Sequence, residues 1–493
     1  MELKLTRVIS VVVLGGLALA PRVGAQDIEG GKERIRSHIT NLLRAPTPGV
    51  PSLVVAVVHR DAIVWEEAFG WADLQGRIAP TPATPYYTAS LTKIFTGVGL
   101  AMLSSEGRID MNRSVNTYLG SHTVRPALWN ESAITVQRVA DHMAGLTTFN
   151  LDCESAAPCR PESAIDRFGV IIRPPGDSFD YANLGYGILG EVIARASKQS
   201  YGEFLRRRIF EPLGMRDCVV PADGRVRGGA VRYQYGTANA VGPSYSATPA
   251  ASSAFCSAHS LVLFARALLN QRPASGARRW STFVPSGGVE AGPGVTYSRG
   301  WWIQQDYVGT ASMYSYAGSS NGSASIRLIP SEQFAVVILA NMGGLYDWLV
   351  DAIVDEFVPQ IRERRTTWKP PPPATRQRRP IVPDLVGTWV GAIDTYRGRR
   401  SLTLSIDASG EVTGTLAGAK AEVRLTAGGA SGPRVFGTLS EADLEIDEAT
   451  PGSYDIRLGL ALYGSRLAGS ATTAARPGTP APALSFLAEL TRR

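Results

Sequence analysis

Ser90-Leu91-Thr92-Lys93-Ile94-Phe95-Thr96-Gly97-Val98-Gly99-Leu100-Ala101-Met102-Leu103 is an apolar stretch with a single cation in its first turn. The spacing of Ile94, Phe95, Val98, Leu100, Ala101 and Leu103 predicts a buried helix over Leu91 to Ser105. Residues three apart share a helix face, so Ser90 and Lys93 meet at the helix start. A serine hydroxyl is a poor nucleophile until a base takes its proton. A lysine buried by such a helix has a depressed pKa and can serve as that base. The helix N-terminus also favours developing negative charge. Chance supplies so short a serine–lysine pattern readily. Two features give it weight. Lysine is otherwise confined to Lys4, Lys32, Lys198, Lys369 and Lys420 in a chain that uses arginine for positive charge, and a lone lysine in an apolar helix needs a reason to be there.

Around this helix, further helical patterns (Leu184 to Ala196, Tyr201 to Phe210, Leu261 to Leu269) alternate with β-like runs. The runs are Ser52 to Val58, Ala62 to Ala68, Ala324 to Ile329 and Phe334 to Ala340. Strands at both ends with helices between them predict an α+β domain over residues 26–365. Lys369, Pro370 to Pro373 and an Arg-rich stretch to Pro383 read as an extended linker over 366–383. Beyond it helical periodicity disappears. Short alternating segments (Leu402 to Ile406, Glu411 to Leu416, Ala421 to Leu425, Ser453 to Leu458) recur between Gly-rich turns, which predicts a small antiparallel β-barrel over 384–493. Its opening, Gly387-Thr388-Trp389-Val390-Gly391, resembles the start of lipocalin-like barrels.

The chain begins with Lys4 and Arg7, an apolar run from Val8 to Ala20, and Val23-Gly24-Ala25 before Gln26, the pattern of a secretory signal peptide over 1–25. Export to the periplasm or the medium follows, and no later segment approaches the roughly 20 apolar residues of a membrane helix. Loss of the leader takes a formal charge of +7 to about +5. That is mild, and the arginines near 362–379 surround prolines instead of forming a stripe, so nucleic acid is not an expected partner. Four cysteines in an exported chain are compatible with two disulfides: Cys153 and Cys159 are close enough to staple a loop, and Cys218 with Cys256 would be the second pair. None has the spacing of a zinc site.

The segment around Ser90-Leu91-Thr92-Lys93 resembles class C β-lactamases and their penicillin-binding relatives, which include esterases and D-peptidases, over roughly residues 30–360. Phe69-Gly70-Trp71-Ala72-Asp73, Glu106-Gly107-Arg108-Ile109-Asp110 and His142-Met143-Ala144-Gly145-Leu146 follow the same pattern. So does the long match from Pro175 to Tyr186, which carries Tyr181-Ala182-Asn183. The resemblance implies a β-lactamase/transpeptidase-like fold, an antiparallel sheet flanked by helices with an all-helical subdomain. It implies Ser90 as nucleophile, Lys93 and Tyr181 as proton carriers, and Asn183 as holder of a substrate carbonyl. Read alone, Tyr181 is an ordinary core aromatic and Asn183 a helix cap. The third motif departs from the family: where a Lys-Thr-Gly or His-x-Gly is usual, this chain has Tyr316-Ala317-Gly318. Gly318 keeps the close backbone approach, and the resemblance implies an oxyanion hole from the Ser319 and Ser90 amides. Tyr316 brings no positive charge for a substrate carboxylate.

These residues predict hydrolysis of a small acyl ester, amide or peptide through a Ser90 acyl-enzyme, without cofactor or metal. A Ser-His-Asp triad would draw on His38, His59, His122, His142 or His259, none of which accompanies a G-x-S-x-G elbow. No H-E-x-x-H cluster supports a metallohydrolase. The remaining alternative is a non-catalytic protein of the same fold that holds acyl or cell-wall fragments.

Overall fold

The computed structural model describes residues 25–493 except 46–48, 147–151, 154–159, 244, 272–277, 320, 345, 371–378, 396–397, 418–421, 443–453 and 475–483. The leader up to residue 24, the Cys153–Cys159 pairing and most of the proline linker lie outside the described residues.

Two hairpins and a meander form one eight-stranded antiparallel sheet. Its strands are β1 (Ser52–His59), β2 (Ala62–Gly70), β3 (Val289–Gly292), β4 (Val295–Ser298), β5 (Trp301–Tyr307), β6 (Thr310–Ser319), β7 (Gly322–Ile329) and β8 (Phe334–Ala340). The order is β2-β1-β8-β7-β6-β5-β4-β3, so the first and last segments of the domain pair with each other, Leu53 opposite Ala340. Strands β1 and β8 read as near-continuous apolar runs because both faces are covered. On one face Val54, Ala56, Ile326 and Val337 pack into the helical core. On the other, Leu53, Val55, Val57 and Ile338 meet Ile35 and Ile39 of α1 (Ala25–Leu43) and Leu349, Ile353 and Phe357 near the C-terminus of the domain.

The helical subdomain is built on α2 (Thr92–Ser105), α3 (Asn183–Ser197) and α4 (Ala258–Leu269), with α5 (Asp347–Phe357) on the opposite face of the sheet. The helix expected over Tyr201 to Phe210 is α-helical only to Leu205 and continues as a π-turn through Arg206–Phe210. Cys218 and Cys256 are disulfide-bonded, as one of the expected pairs. Among the described residues no helix is long and apolar enough to cross a membrane.

After the linker, β9 (Gly387–Thr395), β10 (Gly398–Ile406), β11 (Val412–Ala417), β12 (Glu422–Ser431), β13 (Arg434–Ala442), β14 (Tyr454–Tyr463), β15 (Arg466–Ala474) and β16 (Ser485–Arg492) close into an antiparallel barrel. Each strand pairs with its sequence neighbour, and β9 pairs with β16 to remove the edges. Trp389, Leu404, Leu416, Leu458, Leu467 and Leu490 are buried within it. The barrel touches the first domain at the loop that runs into Tyr181. Arg173 bridges Asp180 (2.9 Å) and the barrel's Ser470 Oγ (2.8 Å), Arg434 lies 3.5 Å from Asp177, and Trp129 meets Tyr463 edge-on.

If this contact holds the loop, Ser470→Ala and Arg434→Ala together should raise amide hydrogen exchange over residues 177–183 while β1 and β8 stay protected. Unchanged exchange in that loop would show that the barrel does not restrain it.

Candidate active site

Ser90 lies in a 3-10 turn, Ala89–Leu91, that runs directly into α2. Ala89 adopts φ 44°, a left-handed conformation that costs a non-glycine residue on the order of 1 kcal/mol. Its surroundings hold it there. Thr88 N and Oγ1 both donate to Ala254 O (3.0 and 2.8 Å), Thr92 Oγ1 donates to Ala89 O (2.7 Å), and Ala254 N donates to Thr92 Oγ1 (3.0 Å). The turn that presents Ser90 is thereby tied to the 249–254 segment ahead of α4.

Lys93 is 1% exposed, and burial holds its amine well below the ordinary lysine range. Its Nζ lies 2.7 Å from Asn183 Oδ1, 3.0 Å from Ala251 O and 3.1 Å from Ser90 Oγ. Among the described residues no carboxylate is within ion-pair distance of it. A neutral amine has two N–H groups and one lone pair. The amide oxygen and the carbonyl can only accept, so they take the two N–H groups, and the lone pair is left for the Ser90 hydroxyl proton. Asn183 is the first residue of α3 and its side chain turns to Lys93 instead of capping the helix.

Tyr181 hydrogen-bonds to Ser90, and its ring centre lies 4.7 Å from Lys93 Nζ. Burial raises its phenol well above the usual range, outweighing the Ser90 contact, so Tyr181 is a neutral O–H group. The residues on either side are fixed by His142. Its carbonyl accepts from Asp180 N (2.8 Å) and its Nδ1 accepts from Ala182 N (3.0 Å). The ring proton is therefore on Nε2, 3.2 Å from Tyr297 Oη, whose hydroxyl donates to Tyr186 (3.3 Å), which donates to Ala140 O (2.8 Å). Burial holds His142 well below the usual imidazole range and keeps it neutral. This chain of donors has one direction and ends on a backbone carbonyl. His142 is a positioning residue.

Strand β6, which carries Tyr316, Gly318 and Ser319, packs beside the Ser90 turn, with Tyr316 opposite Ser325 and Gly318 opposite Ser323. The structure thus brings Ser90, Lys93, Tyr181, Asn183 and Tyr316 together, with the strand segment Gly318–Ser319 alongside. Several neighbours have no motif in the sequence. Ala251 contributes a backbone carbonyl, and Tyr297, Trp302 and Tyr314 come from β4, β5 and β6. Gly300, at φ 92° in the turn before β5, lies so close to α2 that a Cβ there would sit 2.5 Å from the Lys93 carbonyl.

The beta-lactamase family profile matches residues 35–353, and the chain belongs to that family. Curated relatives include Protein flp of Staphylococcus aureus (strain MW2), 24% identical over 333 residues, which covers 64% of this chain and 63% of the relative. Unguisins hydrolase ungD' of Aspergillus campestris is 26% identical over 348 residues, covering 65% and 64%. The chain thus spans a little under two thirds of the length of these relatives. Similar solved structures include an octameric penicillin-binding protein homologue from Pyrococcus abyssi (TM-score 0.53, 16% identity, 94% of this chain and 100% of that one). A class C beta lactamase from Rhodobacter sphaeroides has a TM-score of 0.54 at 20% identity, over 69% of this chain and 100% of that one. At such identities the likeness is one of fold.

Gly300→Ala combines a strained backbone with a clash against Lys93, and should cost about 3 kcal/mol. Thermal unfolding measures it; an unchanged midpoint would show that α2 can shift freely.

Proposed function

We propose that this protein is an exported serine hydrolase that cleaves small ester or amide substrates through an acyl-enzyme on Ser90. The observation that carries the reading is the Lys93 amine, desolvated and hydrogen-bonded to two acceptors with its third position on Ser90 Oγ. Ser90 Oγ attacks the substrate carbonyl and passes its proton to Lys93 Nζ. The neutral Tyr181 hydroxyl, also bonded to Ser90, relays a proton onto the leaving group as the carbonyl–leaving-group bond breaks. Water then attacks the Ser90 ester, and the same groups return the proton. The Ser90 and Ser319 amides are the oxyanion donors in this reading, and Asn183 orients the acyl carbonyl. No cofactor takes part in any step.

The named hydrolase among the relatives supports hydrolysis, as does the family. The leader-like N-terminus and the Cys218–Cys256 disulfide support export to the periplasm or the medium. Tyr316 in place of a cation argues for an esterase or amidase over an efficient β-lactamase.

The purified protein should hydrolyse a short-chain ester, and Ser90→Ala should abolish turnover. Lys93→Ala should lower kcat/KM by about 10²–10⁴-fold in a protein that remains folded by circular dichroism. A folded, nearly active Lys93→Ala variant would sink the assignment, and a stable, unreleased Ser90 acyl group would make the protein a binder.

The acylation rate should also rise with pH as Lys93 loses its proton. Because burial lowers that pKa, the rise should be complete well below the ordinary value of 10.5. A limb centred near 10.5 in the pH–rate profile would contradict a desolvated base.

A further inference from the structure

Trp302, Tyr314 and Tyr316 form a triangular cluster of rings on one face of the sheet. Trp302 and Tyr314 are direct cross-strand partners, and Tyr316 follows two residues on, which returns it to the same face. The ring planes are nearly parallel: 17° between Trp302 and Tyr314, 16° between Tyr314 and Tyr316, and 27° between Trp302 and Tyr316, with centres 6.1–6.5 Å apart. The cluster adjoins the reactive centre, because Trp302 lies 7° from the plane of Tyr181, whose hydroxyl is bonded to Ser90. Phe179 and Tyr297 pack against Trp302 at 61° and 76°. Tyr316 is 38% exposed and presents its ring to solvent.

The charges around this cluster disfavour an anion. The nearby Arg327 is 7% exposed, lies 4.7 Å from the Tyr314 ring centre and donates to Ser312 Oγ at 2.8 Å, so its guanidinium is engaged within the fold. Asp347, in the first turn of α5, faces Tyr316 and, after burial, helps hold that phenol above its ordinary range. A carboxylate substrate would meet flat rings and a like charge.

We propose that Trp302, Tyr314 and Tyr316 form a subsite for an uncharged aryl group of the substrate, which lies flat against the cluster while its carbonyl is held at Ser90. The proposal rests on the Ser90 hydrolase reading for turnover but not for binding. Offset aromatic contacts add a modest increment beyond area burial, which corresponds to about a 3- to 10-fold preference for a phenyl over a saturated ring.

The test uses three methyl esters, whose leaving group is too small to occupy the cluster: methyl phenylacetate, methyl cyclohexylacetate and monomethyl succinate. Turnover by the full-length protein is read from proton release, and binding of the same esters is read by calorimetry in the Ser90→Ala protein. In both measurements the phenyl ester should lead the cyclohexyl ester by about 3- to 10-fold, with the succinate weakest. Tyr316→Leu, which keeps apolar bulk and removes the flat face, should bring the phenyl-to-cyclohexyl ratio close to unity. Equal binding of the two neutral esters, or a preference for succinate, overturns the subsite. If nothing is hydrolysed but the binding preference persists and is lost in Tyr316→Leu, the subsite stands and the hydrolase reading falls.

Discussion

A primary amine enclosed without a counter-ion is the constraint on which the rest of this structure depends. Removing an ammonium group from water is expensive, and proteins meet that cost by leaving the group neutral. The Lys93 amine is enclosed by α2 itself, by α3 through Asn183, and by the 249–254 segment through the Ala251 carbonyl. Elements distant in sequence converge on one nitrogen. The neutrality of that nitrogen is a property of the fold as a whole.

The sheet makes this convergence possible by being covered on both faces. With β1 and β8 paired side by side, the two ends of the domain are locked together, and the helical subdomain is inserted between β2 and β3. The subdomain delivers Ser90, Lys93, Tyr181 and Asn183, and the sheet delivers β6. His142 ties the Tyr181 segment to the sheet through the Tyr297 hydroxyl, so both halves of the site share one hydrogen-bonded chain. The left-handed backbone at His142 (φ 58°) lets one residue offer both its carbonyl and its ring nitrogen to the strand-like segment opposite.

The frame and half of the site are legible in the sequence, for physical reasons that differ by element. Strands β1 and β8 and helices α2 and α3 announce themselves because burial imposes apolar runs or helical spacing, and each lies within one or two residues of its expected bounds. The barrel is legible from alternation, although β12 and β14 extend well past the predicted Ala421 to Leu425 and Ser453 to Leu458: β12 continues through Gly428 and Gly429 without an apolar signal, whereas Leu460 and Leu462 carry the alternation of β14 onward. Strands β3 to β5 give no such signal, because their residues are part polar and part aromatic and only one end is deeply covered. The aromatic cluster depends on the register of β5 against β6, and a cross-strand register has no local signature. Ala251 acts through its backbone, which no residue type reveals. The spacing of Ser90 with Lys93 and of Tyr181 with Asn183 is local, and local geometry is what a sequence encodes most directly.

The absence of an ion pair around Lys93, among the described residues, has a consequence for how the site responds to its medium. Dissolved salt weakens attractions between exposed charges over a Debye length of about 10 Å at 0.1 M, but it does not restore water to an enclosed amine. A base kept neutral by enclosure retains its strength in brackish or concentrated surroundings, where one tuned by a facing charge would drift. That indifference to salt is built into the packing around a single nitrogen atom.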